Sequence, residues 1–256
     1  MGFRMAFRRL YDEIEPQRVN RWLAQSGVCS RREAEALIAQ GLVSIDGETV
    51  SDPGRKILPG QTLVLADRAQ SQLHAQMSVV LHKPRGIVSA HPEPGQTPAV
   101  RLLTRQALWG GPAPVPRADT RLAPVGRLDM ESRGLLVLSE DGVLAKALIG
   151  PASDLEKEYW VFVMGELTPA KLALLRHGLE LDERKLRPAE VEVIADQRLR
   201  FVLKEGRNRQ IRRMCELVEL KVVDLFRVRI GPLTLDDMPE GRWRPLAAYE
   251  RAELVE

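Results

Sequence analysis

Gly126-Arg127-Leu128-Asp129-Met130-Glu131-Ser132-Arg133-Gly134-Leu135-Leu136-Val137-Leu138 joins a polar loop to an apolar run. The loop holds one short-stemmed carboxylate, Asp129, with arginines on both sides. The run 135–138, bounded by glycine and polar residues, suits a strand buried on both faces. Asp129 is therefore expected on a loop fastened to a rigid core strand, where catalytic groups are often placed. Taken alone, it reads equally as a turn residue pairing with Arg127 or Arg133, because short motifs have many false matches.

The 256 residues suffice for one large domain or two unequal ones, and 44% of them are apolar. Lysine and arginine number 38 against 35 acids, a net charge of +3, with a pI near 9.0. That mild excess does not prove a nucleic-acid partner; where the charge sits matters more. No apolar run approaches the roughly 20 residues of a membrane helix, and the Arg-rich start lacks the apolar block of a signal peptide. Met5 is an alternative start to Met1. Cys29 and Cys215 lack metal-ligand spacing, and His74, His82, His91 and His177 form no cluster. With no phosphate-loop or dinucleotide fingerprint either, we expect no metal and no cofactor, in a reducing cytoplasm.

Upstream, Val19, Trp22 and Leu23 recur at helical spacing and Ser26-Gly27 ends that helix. Ser30-Arg31-Arg32-Glu33 is a capping box, followed by the stripe Ala34, Leu37 and Ile38 and a stop at Gly41. Asp46-Gly47 marks a type I′ hairpin, and 61–66 a further strand. Arg18, Arg21, Arg31 and Arg32 gather at one end of the helices, either as a solvated face or as a phosphate-binding one. Residues 1–16 read as an N-terminal extension. Residues 68–76 are polar and aperiodic and read as a linker.

A strand over 78–82 then runs into Lys83-Pro84-Arg85-Gly86. Residues 91–124 form a proline-rich arm, with a helix expected over 99–108. Its Arg101, Arg105, Arg117 and Arg121 suit either RNA contact or a solvated insertion. Further on, 156–163 alternates as a strand carrying Lys157 and Tyr159. Alone, a tyrosine in a strand is most often core packing. Strands are also expected at 188–194, 199–203 and 221–228, a helix at 168–177, and a tail at 243–248 packed back on the sheet.

Between Lys204 and Arg213 stand five basic residues and one acid, Glu205. As a helix from about Asn208, this segment puts Ile211, Met214, Cys215 and Val218 on one apolar face. Arg209 and Arg213 point away from that face, placed for phosphates. Arg212 lies at its border, where a partly buried guanidinium wants a carboxylate.

Gly126-Arg127-Leu128-Asp129, with Ser132, Gly134-Leu135-Leu136 and Glu140-Asp141-Gly142, resembles the active-site segment of the RsuA/RluB/RluF pseudouridine synthases. Lys83-Pro84-Arg85-Gly86 resembles that family's first motif, with His82 where Asn is more usual. The stretch 18–43 resembles an S4 RNA-binding domain. The run 207–216 looks most like the RluF branch. The resemblance implies an α+β fold: an S4 domain over 17–67, then a catalytic domain over 77–256 with a mixed, mostly antiparallel sheet flanked by helices. It implies conversion of uridine to pseudouridine by a monomer without cofactor. Asp129 would be the catalytic carboxylate, Arg212 its partner and Tyr159 the platform under the base. Arg127, Lys157, Arg209, Arg213, Lys83 and the four S4 arginines would contact RNA, with Lys83 and Pro84 mainly shaping the cleft floor. The implied partner is ribosomal RNA, favouring the large subunit, with a tRNA side activity. The alternatives are a small-subunit (16S) rRNA synthase, an inactive S4-type ribosome-assembly protein, or a nucleoside hydrolase, which would also use an Asp at a glycosidic bond.

Overall fold

The computed structural model describes residues 7–117 and 119–255; both starts, Met1 and Met5, lie outside the described residues. The chain divides into two compact units. The first runs to Met77 and takes in Glu140–Lys146, so the single block 77–256 read from the sequence is interrupted. The second comprises Ser78–Ser139 and Ala147 onward.

In the first unit, α1 (Val19–Gln25) and α2 (Arg31–Ala39) bury Trp22, Leu23, Ala34, Leu37 and Ile38 in one core. The capping box forms: Ser30 accepts from the Glu33 amide at 3.3 Å and the Glu33 carboxylate accepts from the Ser30 amide. A cap of this kind contributes about 1 kcal/mol. Asp46 and Gly47 both have positive φ, 49° and 87°, and turn the strand Val43–Ile45 into Glu48–Thr49. The strand Thr62–Leu65 pairs with Val43–Ile45.

Two expectations for this unit are corrected. Residues 68–76 are not a structureless linker: α3 (Asp67–His74) occupies most of them, with Ala69 in the core and Leu73 packed against it. That stripe is one alanine and one leucine wide, too narrow to stand out as periodicity. The supposed extension likewise supplies the strand Phe7–Leu10, which pairs with Thr62–Leu65, and Tyr11, which meets the Trp22 ring edge-on at 5.4 Å. Arg8 and Arg9 disguised it, but an edge strand tolerates such charges.

The second unit is built on a sheet whose main path runs Glu190–Ala195, Arg198–Leu203, Lys157–Met164, Lys221–Ile230, Arg133–Ser139, Ser78–Lys83 and Trp243–Pro245. Among these neighbours only Arg133–Ser139 and Lys221–Ile230 run parallel. The α+β class and mixed, mostly antiparallel sheet therefore hold. Leu135, Leu136, Val137 and Leu138 are all fully buried, as a strand covered on both faces must be. The parallel pairing is set at Gly134, whose φ is +116°. A Cβ there would lie 2.2 Å from the Arg227 carbonyl oxygen, so only glycine admits that approach. The remaining helices are α4 (Gly142–Ile149), α5 (Pro169–Arg176), α6 (Gln210–Leu217) and α7 (Ala248–Val255).

The helix expected over 99–108 shrinks to one 3₁₀ turn, Ala99–Leu102. Trp243 explains the difference. Its ring N–H donates to the Thr104 carbonyl at 2.8 Å and its amide to the Ala107 carbonyl at 3.1 Å. A helix over 99–108 would have given the Thr104 carbonyl to the Leu108 amide, and here the Trp243 ring takes it instead.

Candidate active site

The loop 126–132 is pinned through its backbone. Ser89 Oγ accepts from the Leu128 amide at 2.9 Å and donates to the Leu128 carbonyl at 2.7 Å. The Gly86 amide donates to the Met130 carbonyl, and Lys83 Nζ to the Ser132 carbonyl at 2.8 Å. The main chain on both sides of Asp129 is thus fixed by buried partners. The Asp129 side chain itself remains 32% exposed.

The helix α6 supplies the cations. Ile211, Met214, Cys215 and Val218 are buried, as their spacing predicts, and the Arg212 side chain at their border is only 8% exposed. Arg212 Nη2 donates to Ser132 Oγ at 3.2 Å and to the Glu131 carbonyl at 3.4 Å. Its Nε lies 3.9 Å from Asp129 Oδ2 and has no hydrogen-bond partner among the described residues. That spacing is an ion pair without a hydrogen bond. The nearer cation is Arg209, with Nη1 3.6 Å from Asp129 Oδ2 and 3.5 Å from Glu131 Oε2. Arg209 precedes α6 in the left-handed region, φ 49°, a conformation that costs a non-glycine residue about 1 kcal/mol.

The strand Lys157–Met164 alternates as expected, with Tyr159, Val161 and Val163 inward. Its register with Lys221–Ile230 shifts between Glu158 and Tyr159, and such bulges re-aim side chains beside functional sites. Asp129, Arg212 and Tyr159 come together in one cleft of about 170 Å³, with Leu203, Ile211 and Leu225 as apolar wall.

Other expected RNA contacts divide. Arg127 is exposed and lines the cleft. Arg209 lines it too, beside the carboxylate rather than turned away from it. Arg213 is not a free outward cation: Asp182 grips it through two bonds of 2.7 and 2.9 Å. Lys83 is fully buried and lines neither the catalytic cleft nor the one beside it, so it is not placed for RNA; burial pushes its ammonium down to about 8, with Asp129 opposing. Lys157 donates to the Leu155 carbonyl at 3.1 Å and lies in an adjoining cleft. In the first unit Arg18, Arg21 and Arg31 line one groove with Tyr11 and Lys56, whereas Arg32 is exposed outside it. Burial raises both cysteine thiols to about 12, so neither is a poised nucleophile.

The profile of RNA pseudouridylate synthases matches residues 77–217, spanning Asp129, Tyr159 and Arg212, and that of the S4 domain matches residues 17–63. The chain belongs to the RNA pseudouridylate synthase family. Family members similar to it include ribosomal large subunit pseudouridine synthase B of Bacillus subtilis, 31% identical over 91% of this chain and 93% of that protein. Ribosomal small subunit pseudouridine synthase A of Escherichia coli K12 is 30% identical, covering 93% of this chain and all of that one. The dual-specificity RNA pseudouridine synthase RluF of Salmonella typhi is 32% identical over 93% and 78%. A pseudouridylate synthase crystal structure superposes with TM-score 0.64 and 25% identity over 93% of this chain and 99% of that one.

Sequence reasoning missed Ser89, given no role, and Arg227, a buried arginine inside an ordinary strand pattern. Gly134 was the only hint of Arg227, since a glycine opening an apolar strand marks a close backbone approach.

Proposed function

We propose that this pseudouridine synthase isomerises one uridine of ribosomal RNA, in the large subunit. The N1–C1′ bond breaks, the uracil turns in place, C5 joins C1′, and the C5 proton leaves as N1 gains one. Nothing else enters or departs. The observation that carries this reading is the meeting of Asp129, Arg212 and Tyr159 in one cleft.

Asp129, partly exposed on a fixed loop, presents its carboxylate to the ribose. Attack at C1′ and removal of a ribose proton both suit it. Arg212, nearly buried and held by Ser132 and the Glu131 carbonyl, sets a fixed positive charge beside that carboxylate. Arg209 adds a second, more exposed positive charge. Tyr159 gives the detached uracil a face to stack on. The target must leave its stack, at about a few kcal/mol. Arg127, exposed beside Asp129, fills the vacated space.

The relatives' names include both ribosomal subunits. The run 207–216 favours the large subunit, because it looks most like the RluF branch. The test uses unmodified transcripts of both rRNAs incubated with the full chain and mapped by carbodiimide-dependent reverse-transcription stops. A new stop in the large-subunit transcript is expected. A stop only in the small-subunit transcript overturns the substrate, and strand scission at an abasic site overturns the isomerisation.

A further inference from the structure

A second cleft, of about 360 Å³, shares Arg127, Tyr159 and Arg207 with the catalytic one. Its other basic lining residues are Lys157, Arg187, Lys204 and Arg227. The carboxylate among its walls, Glu205, is already engaged by Arg207, Gln210 and the Arg187 amide.

Two of these cations are set into the sheet. Arg227 is 2% exposed; its Nε donates to the Leu135 carbonyl at 2.7 Å, and its Nη2 has no partner among the described residues. Lys157 has three ammonium donors and one described acceptor, the Leu155 carbonyl. Burial lowers the Lys157 ammonium below its ordinary range, and Arg227 lowers it further. Like charges held together away from water are costly, as is a buried donor without an acceptor. Both costs are offset by an anion with several acceptor oxygens.

We propose that this cleft binds an RNA phosphodiester, that of the nucleotide whose base enters the Tyr159 cleft, through Lys157 and Arg227. The proposal rests on the uridine reading above. A base and its own phosphate are separated by one sugar, so two clefts divided by Arg127 and Tyr159 suit the two ends of one nucleotide. Non-bridging oxygens accept from the Arg227 guanidinium and the Lys157 ammonium, while the base lies against Tyr159.

The test measures affinity of the full chain for unmodified large- and small-subunit rRNA transcripts across a salt series. Lys157→Gln, with an unchanged melting temperature, should weaken binding by about tenfold and lower the log–log salt slope by about one. Lys157→Arg should restore most of both. The exposed Lys221, outside both clefts, serves as the control: Lys221→Gln should leave the slope unchanged. Equal affinity and slope for Lys157→Gln and wild type overturn the proposal, as does an equal slope loss in Lys221→Gln. Inorganic phosphate is the second probe. If it raises the melting temperature of wild type but not of Lys157→Gln while the RNA slopes stay equal, the cleft takes a free anion and the RNA assignment falls. Binding needs no turnover. A lowered slope with no pseudouridine formed by wild type would therefore support the phosphate site while sinking the isomerase reading.

Discussion

The first unit's arginines stand in water, whereas many in the second are held by acids and carbonyls. Arg18, Arg21, Arg31 and Arg32 are all exposed, and none makes an ion pair among the described residues. In the second unit Arg133 binds Asp224 through bonds of 2.8 to 3.2 Å and lies 4.1 Å over the Phe226 ring. Arg213 is locked to Asp182, Arg244 to Glu250, and Arg212 to the loop around Ser132. The same side chain thus does two jobs. Exposed and unpaired, it supplies diffuse, salt-sensitive attraction. Buried and paired, it fixes geometry, and removing it leaves a partner stranded.

That contrast breaks most sharply at Asp129. Asp129→Asn keeps the shape of the loop and removes the charge. Turnover should fall by at least about 10³-fold, while rRNA affinity stays within about twofold of wild type in a filter-binding assay. Loss of binding along with turnover would make Asp129 a structural residue. Next comes Arg212→Ala, which strands Ser132 and uncovers Asp129; kcat should drop by about 10²-fold, with a smaller effect on KM. Wild-type kcat would remove the pairing argument, and a kcat loss confined to Arg209→Ala would move the role to the nearer, more exposed guanidinium.

The first unit should respond in the opposite way. Replacing Arg18, Arg21, Arg31 and Arg32 together by Ser should weaken rRNA binding by about tenfold and lower the salt slope by about 3. At saturating RNA, kcat should be retained. A fallen kcat with an unchanged slope would show that these arginines support the fold rather than meet phosphates.

What was legible in the sequence follows the same division. Asp129, Tyr159 and Arg212 stood in motifs whose local period gave the element: a loop before a run of leucines, an alternating strand, a helix with one apolar face. The strand Phe7–Leu10 and α3 were hidden because so little of each meets the core: a half-buried Phe7 in the strand, Ala69 and a half-buried Leu73 in the helix. Arg213 was misread because its acceptor, Asp182, lies 31 residues away in a separate hairpin. Arg209 was misread because an ideal helical wheel assumes helical backbone, and this residue has φ 49°. Helical phase places residues inside an element; it says nothing of partners brought from elsewhere in the chain.

Lys83 sharpens the contrast from its quietest side, as a buried cation with no carboxylate bound to it. Its ammonium donates to the Pro84 and Ser132 carbonyls. Burial lowers its pKa from 10.5 to about 8. In the unfolded chain the ordinary value returns. Below pH 8 both states carry the proton, so the cost of burying the charge is fully present. From pH 8 towards 10.5 the folded lysine has released its proton while the unfolded one has not, and that cost is relieved. Stability therefore gains with rising pH, by about 1 kcal/mol between pH 7 and 9. Lys83→Met removes the titration, so subtracting its unfolding free energy from that of wild type at each pH isolates the contribution. The difference should climb in favour of wild type over that window. A flat difference would mean that water reaches Lys83 and that its hold on the Ser132 carbonyl, one turn from Asp129, is looser than the bond lengths indicate. The neutral amine still has two N–H donors for its two carbonyls, so the loop stays pinned and kcat at pH 9 should not fall on account of Lys83.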